Sequence, residues 1–109
     1  MTVGIYTFEL HLPDARSLKG KRQIVRRLKD RLRARYNVAV AELGDHGALW
    51  QRAVLAVVSV ANEREALERL FEAVHREVEL HVPGQYIETG TEFLQAADGG
   101  ASGWGEEWK

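Results

Sequence analysis

Apolar and polar residues alternate from Val3 to Leu12. Tyr6, Phe8, Leu10 and Leu12 fall on one side, and Thr7, Glu9 and His11 on the other, which predicts a half-buried strand ended by Pro13-Asp14. From Leu18 the spacing changes to threes and fours. Leu18, Ile24, Val25, Leu28, Leu32 and Tyr36 line one face of a helix running to about Arg35, with Ser17 placed as its N-cap and Asn37 as its breaker. VAVAEL (38–43) reads as a second strand, GDHG (44–47) as a turn and LWQRAVLAVVSVA (49–61) as a long third strand. Asn62 is placed to cap a second helix through about His81, with Ala66, Leu67, Leu70, Phe71, Val74 and Val78 on its apolar face. Pro83-Gly84 separates it from QYIETGTEFL (85–94), an alternating fourth strand.

The order is β-α-β-β-α-β. With right-handed crossovers it closes into a four-stranded antiparallel sheet with both helices on one face, an α+β fold of the ferredoxin-like kind. Residues 1–95 form its single domain, and AADGGASGWGEEWK (96–109) is a Gly-rich, acidic tail. The third strand is apolar on both faces: Ala53, Leu55 and Val57 on one, Val54, Val58 and Val60 on the other. A strand buried on one side alternates with polar residues, so the face of Val54, Val58 and Val60 is expected to be covered, by a second copy in a homo-oligomer or by the tail. Trp104 or Trp108 of the tail is expected to dock on an apolar surface.

The composition sets wide bounds. A chain of 109 residues with 45% hydrophobic and 28% charged residues is long enough for one domain with its own core. It has no cysteine, which excludes disulfides, thiolate catalysis and Cys-based zinc sites. The longest apolar run, Ala53 to Val58, is far short of the ~18 residues of a membrane span. The N-terminus lacks a basic leader segment, so a cytoplasmic location is expected. Arginine outnumbers lysine eleven to four, a bias compatible with a thermophilic source.

Charge changes the picture more. The chain has a formal net charge of −1, yet residues 16–35 hold ten Lys/Arg and one acid, Asp30. That segment is +9 and the remainder −10. Lys19, Arg22, Arg26, Lys29 and Arg33 form one continuous stripe along the helix, and Arg27, Arg31 and Arg35 run down its other flank. Long basic side chains often cover the edge of a core while their heads stay in water, and arginines late in a helix suit its dipole. Lys19, Lys21 and Arg22, however, lie in the first turns, where positive charge is unfavourable by about 0.3–1 kcal/mol each. A merely solvated helix alternates signs, as the Glu-rich second helix does. The expected partner is therefore a polyanion, RNA or a ribosomal surface, met by Lys19, Lys21, Arg22, Arg26, Lys29 and Arg33. Free N–H groups at Ser17–Gly20 would add an anion site. The rival is neutralisation of this helix by the Glu-rich second helix or by the acidic tail.

Other chemistry finds little support. The window from Ala15 to Arg22 lies where a phosphate loop would, but Ala15 replaces the first glycine and Arg22 the Mg²⁺-holding hydroxyl. No two of His11, His46, His75 and His81 have metal-ligand spacing. Glu9 and His11 share a strand face and read as a salt-bridged surface pair. The third strand lacks the aromatics on which RNA-recognition sheets stack bases. No catalytic residue, metal or cofactor is expected, and the chain reads as a non-enzymatic protein.

SLKGKR (17–22), NVAVAE (37–42) and LWQRA (49–53), in this order and spacing, resemble the bacterial YlxP-like proteins. The resemblance spans about residues 3–95 and implies a ferredoxin-like fold with no assigned activity. That family usually has an acid where this chain has Gly20, which would complete a capping box with Ser17. Its genes often neighbour those of ribosome-binding factor A and initiation factor 2, which implies a place in translation or ribosome maturation. A protein-interaction module that dimerises through its sheet is the alternative function.

Overall fold

Thr2–His11 (β1) alternates buried and half-buried residues without a break. It is the strand around which the rest is arranged, in a computed structural model that describes residues 1–13, 15–44, 51–82 and 85–96. The other elements are α1 (Leu18–Arg35), β2 (Ala39–Leu43), β3 (Arg52–Ala61), α2 (Arg64–His81) and β4 (Gln85–Gln95). The sheet order is β2-β3-β1-β4 with every pair antiparallel. This is the ferredoxin-like arrangement expected from the order of periodicities.

The core lies between one sheet face and the two helices. Tyr6, Phe8 and Leu10 of β1 and Leu55 and Val57 of β3 meet Leu28 and Leu32 of α1 and Leu67, Phe71 and Val74 of α2, all essentially sealed from solvent. Fully burying a side chain of this size contributes about 1.5–3 kcal/mol. Gly4 lets α2 come close to β1: a Cβ there would sit 2.8 Å from Cε2 of Phe71. Gly44 turns the chain out of β2 with φ 73°, a left-handed conformation that glycine adopts without steric cost.

α1 begins as its sequence predicts. Ser17 is the N-cap, and its Oγ accepts from the N–H of Gly20 at 3.0 Å. α2 differs. Its N-cap is Glu63, which makes no side-chain capping bond, and Asn62 stands one residue too early to cap. The helix starts at Arg64, so the short Asn side chain is not at the position that faces the free N–H groups. β4 differs as well. Its pairing with β1 shifts between Thr7 and Phe8, so that Thr89 is an extra residue. Simple alternation would put Tyr86 and Phe93 on opposite faces. The bulge re-phases the strand, Tyr86 pairing with Leu10 and Phe93 with Gly4, and both rings join the edge of the core. Thr89 holds the irregularity by donating from Oγ1 to the Thr7 carbonyl at 2.9 Å.

Two glycine substitutions separate close packing from local preference. Gly4→Ala is expected to lower stability by about 1–3 kcal/mol through collision with Phe71. At Gly20 a Cβ would meet only Ser17 Oγ, at 3.4 Å, an ordinary contact. Gly20→Ala should therefore raise stability by about 0.5–1 kcal/mol, with both effects read from denaturant midpoints.

Candidate functional site

α1 lays Val25, Leu28 and Leu32 against the sheet, and eight of its nine basic residues, all but Lys21, stand on its flanks and back. Along one flank Arg22, Arg26, Lys29 and Arg33 border a shallow channel of about 540 Å³, with Val25 and Asp30 of the helix and Glu42 of β2 completing it. Lys19 and Arg22 are exposed, Arg26 and Arg33 likewise, and Lys29 is half-buried. Arg33 donates to Asp30 on its own helix at 3.0 Å, an exposed pair of little energetic weight. Among the described residues Lys19, Arg22, Arg26 and Lys29 have no carboxylate partner.

Lys21 departs from the expectation that it joins this ridge. It is 4% exposed, and its Nζ lies 3.1 Å from Oε2 of Glu42. Its position in α1 points it at the sheet, and β2 supplies the carboxylate that makes burial of the ammonium tolerable. At the helix N-terminus, within the expected anion site of Ser17–Gly20, the Gly20 N–H is taken by Ser17 Oγ at 3.0 Å, and Lys21 makes the first intrahelical bond, to the Ser17 carbonyl at 3.1 Å.

On the opposite flank, α2 neutralises part of the charge. Glu77, 5% exposed, receives Arg31 Nε at 3.2 Å and Arg35 Nε at 2.9 Å on one oxygen, and the other oxygen lies 3.4 Å from His81 Nε2. Sequence periodicity did not single out Glu77. Its signal is a polar residue between Val74 and Val78 on the buried face of α2, a position where an acid needs a cationic partner. Of the two expected neutralising groups, α2 takes Arg31 and Arg35, the acidic tail lies outside the described residues, and among the described residues Lys19, Arg22, Arg26 and Lys29 have no carboxylate partner.

The sheet face away from the helices is largely apolar. Val54 and Val58 are half-buried and Val60 is 51% exposed, with Leu94 of β4 at 50% and Leu43 of β2 at 41%. No described segment covers them. At one end of this face Glu9 accepts from His11 Nε2 at 2.5 Å and from Arg52 Nε and Nη2 at 2.7 and 2.6 Å. These bonds, that from His11 first and then that from Arg52, hold the Glu9 carboxyl below its usual range. The Glu9–His11 pair is as expected, and Arg52 is the partner that register alone brings beside His11. Trp104, Trp108 and the Asp45-His46 turn lie outside the described residues. Among the described residues no group of three or more His, Asp or Glu could hold a metal ion, and no helix is long and apolar enough to cross a membrane.

A second concave feature lies between α2 and β4. Glu68, Glu72, His75 and Arg76 of α2 face Glu88 and Thr91 of β4 across a groove of about 490 Å³, with Tyr6, Phe71 and Phe93 beneath. His75 is engaged on both nitrogens: Nε2 meets Glu79, and Nδ1 lies within hydrogen-bond distance of the Tyr6 hydroxyl, at 3.2 Å. Burial, and behind it the carboxylates of Glu88 and Glu79, push the Tyr6 hydroxyl well above the usual phenol range.

Against known proteins, residues 3–91 match the family model described as Protein of unknown function (DUF503), and the chain belongs to that family. It is 31% identical over 72 residues to the uncharacterized protein YlxP of Bacillus subtilis (strain 168), a stretch covering 66% of this chain and 77% of that one. Among solved structures it resembles the de novo designed protein Foldit4, with a TM-score of 0.51 at 15% identity over 88% of this chain and 98% of that one. It also aligns with Rv0793 from Mycobacterium tuberculosis, with a TM-score of 0.43 at 16% identity over 90% and 97% of the two chains. The first of these similarities supports the fold and nothing beyond it.

Two measurements check the electrostatics. Glu42→Gln leaves the Lys21 ammonium buried without its carboxylate and should cost about 1–3 kcal/mol, less than for a fully enclosed pair because Glu42 is partly exposed; Arg26→Gln, on the open flank, should stay within about 0.5 kcal/mol. Alkaline titration checks Tyr6. Its pKa is raised by folding, so the unfolded chain gives up this proton first and stability falls as pH climbs past about 10. Tyr6→Phe should make that fall shallower in denaturant melts taken across the alkaline range, and an unchanged slope would contradict the assignment.

Proposed function

We propose that this member of a family of unknown function binds RNA through the phosphate backbone, using the open flank of α1. The reading rests on one observation: Lys19, Arg22, Arg26 and Lys29 line a single flank with no carboxylate partner among the described residues, while Glu77 of α2 pairs Arg31 and Arg35 on the opposite flank. From Arg22 to Arg33 the stripe runs roughly 16 Å at the helical rise, long enough to follow several phosphates of one strand. Its cations lie on a rigid helix, so little side-chain ordering is left to binding beyond their own rotamers. Arg22, Arg26 and Arg33 offer planar forks suited to phosphate oxygens, and Lys29 a point charge. Contacts of this kind position a strand without reading its bases, so recognition is broad in sequence. An RNA or RNA–protein surface such as that of the ribosome is the partner class this chemistry fits.

Filter binding or anisotropy with a ribosomal RNA fragment tests the reading. Log affinity should fall with log salt by ~0.7–0.9 for each phosphate neutralised. Arg22→Glu/Arg26→Glu/Lys29→Glu should lose binding by a hundredfold or more with the melting curve unchanged. Parent-like binding by the triple variant would remove this flank as the site.

The exposure of Val60, Leu94 and Leu43 on the outer sheet face favours a second, compatible reading, self-association sheet to sheet. The Glu9–His11–Arg52 cluster at its end holds both signs of charge, which is compatible with a self-complementary two-fold contact. Sedimentation equilibrium should then give a dimer, and Val58→Lys/Val60→Lys a monomer; a monomeric parent at every concentration would refute it.

A further inference from the structure

β4 is the longer of the two edge strands of the sheet, eleven residues against five in β2, and among the described residues no strand pairs with its outer side. Half of the backbone N–H and C=O groups of such an edge point away from its one partner and can accept another strand. The groove described above runs beside this edge. α2 packs over β1 and β3 and leaves the helix-side face of β4 incompletely covered, which is why Glu88 and Thr91 line a cavity instead of a core. At about 490 Å³ the groove is in the range that holds side chains of a ligand, ~300–1,000 Å³.

The groove's lining holds more acid than base: Glu68 and Glu72 of α2 and Glu88 of β4 against Arg76 and His75, with Glu68 also paired to Arg64. The chain also displays how an arginine is held there. Arg64 lies with its guanidinium 4.3 Å over the ring of Phe93 while its Nε donates to Glu68 at 3.2 Å. A second arginine arriving from outside would find the same combination further along: the Glu72 and Glu88 carboxylates above and the edges of the aromatic cluster below.

We propose that the β4–α2 groove takes an extended basic peptide, which adds to the free edge of β4 as a further antiparallel strand and places alternate Arg or Lys side chains between Glu72 and Glu88. The backbone ladder supplies affinity and the carboxylates supply the selection for cationic side chains, a known division of labour in strand addition. The bulge at Thr89 sets the phase, because it puts Glu88 and Thr91, rather than alternate residues, on the groove side. The site is on the opposite side of the fold from the open flank of α1 and does not depend on the reading of that flank.

The test uses the full chain and a fluorescent decapeptide of alternating valine and arginine. Two control peptides accompany it: one with a central proline, which keeps most of the charge but interrupts the ladder, and one of alternating valine and glutamate. The first should bind, and each control should bind at least tenfold more weakly. Amide hydrogen exchange in β4 should slow when the first peptide is present. Glu72→Gln/Glu88→Gln, at two exposed positions, should weaken binding about tenfold without changing the melting curve, and Arg22→Gln/Arg26→Gln should leave it as in the parent. Failure of the valine–arginine peptide to bind would overturn the proposal. So would equal binding of the proline peptide, which marks mere ionic adhesion, or β4 exchange that stays the same.

Discussion

Two carboxylates, Glu42 on β2 and Glu77 on α2, hold α1 to the rest of the molecule from either side. The helix needs them because its apolar stripe, Val25, Leu28 and Leu32, is bordered by cations that cannot all reach water. Lys21 goes under the helix to Glu42 at 3.1 Å, and Arg31 and Arg35 converge on Glu77 at 3.2 and 2.9 Å. Removing Glu42 would leave the Lys21 ammonium buried and unpaired, and removing Arg31 and Arg35 would leave the buried Glu77 carboxylate without its arginines, either of which costs far more than the pair contributes when intact. The pairs therefore fix the rotation of α1 about its axis as firmly as its leucines do. That rotation decides which basic residues are left facing outward.

The consequence is a polarised molecule. The ten basic residues of 16–35 stand against a remainder with formal charge −10. One side presents Lys19, Arg22, Arg26 and Lys29; the other presents Glu68, Glu72 and Glu88 around the groove of α2 and β4. A protein with net charge −1 can in this way attract polyanions on one side and cations on the other. Between the two lies a sheet whose uncovered face is apolar.

The fold was largely legible because its elements are long and each keeps one period. β1 alternates over ten residues, and Ser17 stands at the one position from which its hydroxyl reaches the N–H of Gly20. Where legibility failed, a single residue changed the phase. Thr89 broke the alternation of β4, and Asn62 sat one place short of the α2 cap. Neither shift alters composition or average periodicity, so neither leaves a mark that pattern reading detects. The basic stripe was legible as a set of positions, and the family's motifs around it as a resemblance. Which of those cations are spent inside the molecule was not.

What the chain determined by itself was therefore everything that depends on near neighbours: the helix and strand periods, the apolar faces, the Ser17 cap and the concentration of charge on one helix. These follow from residues within a few positions of one another, whose contacts the period of the element already implies. Only the tertiary structure decided that Lys21 meets Glu42, that Arg31 and Arg35 share Glu77, and that Arg52 completes the cluster of Glu9 and His11. Each of these depends on a partner brought from another element, Glu77 standing 46 residues beyond Arg31 and Arg52 43 beyond Glu9. Coulomb attraction between side chains acts over a few ångströms of space and has no period along the chain, so it becomes readable only once the strands have set their register.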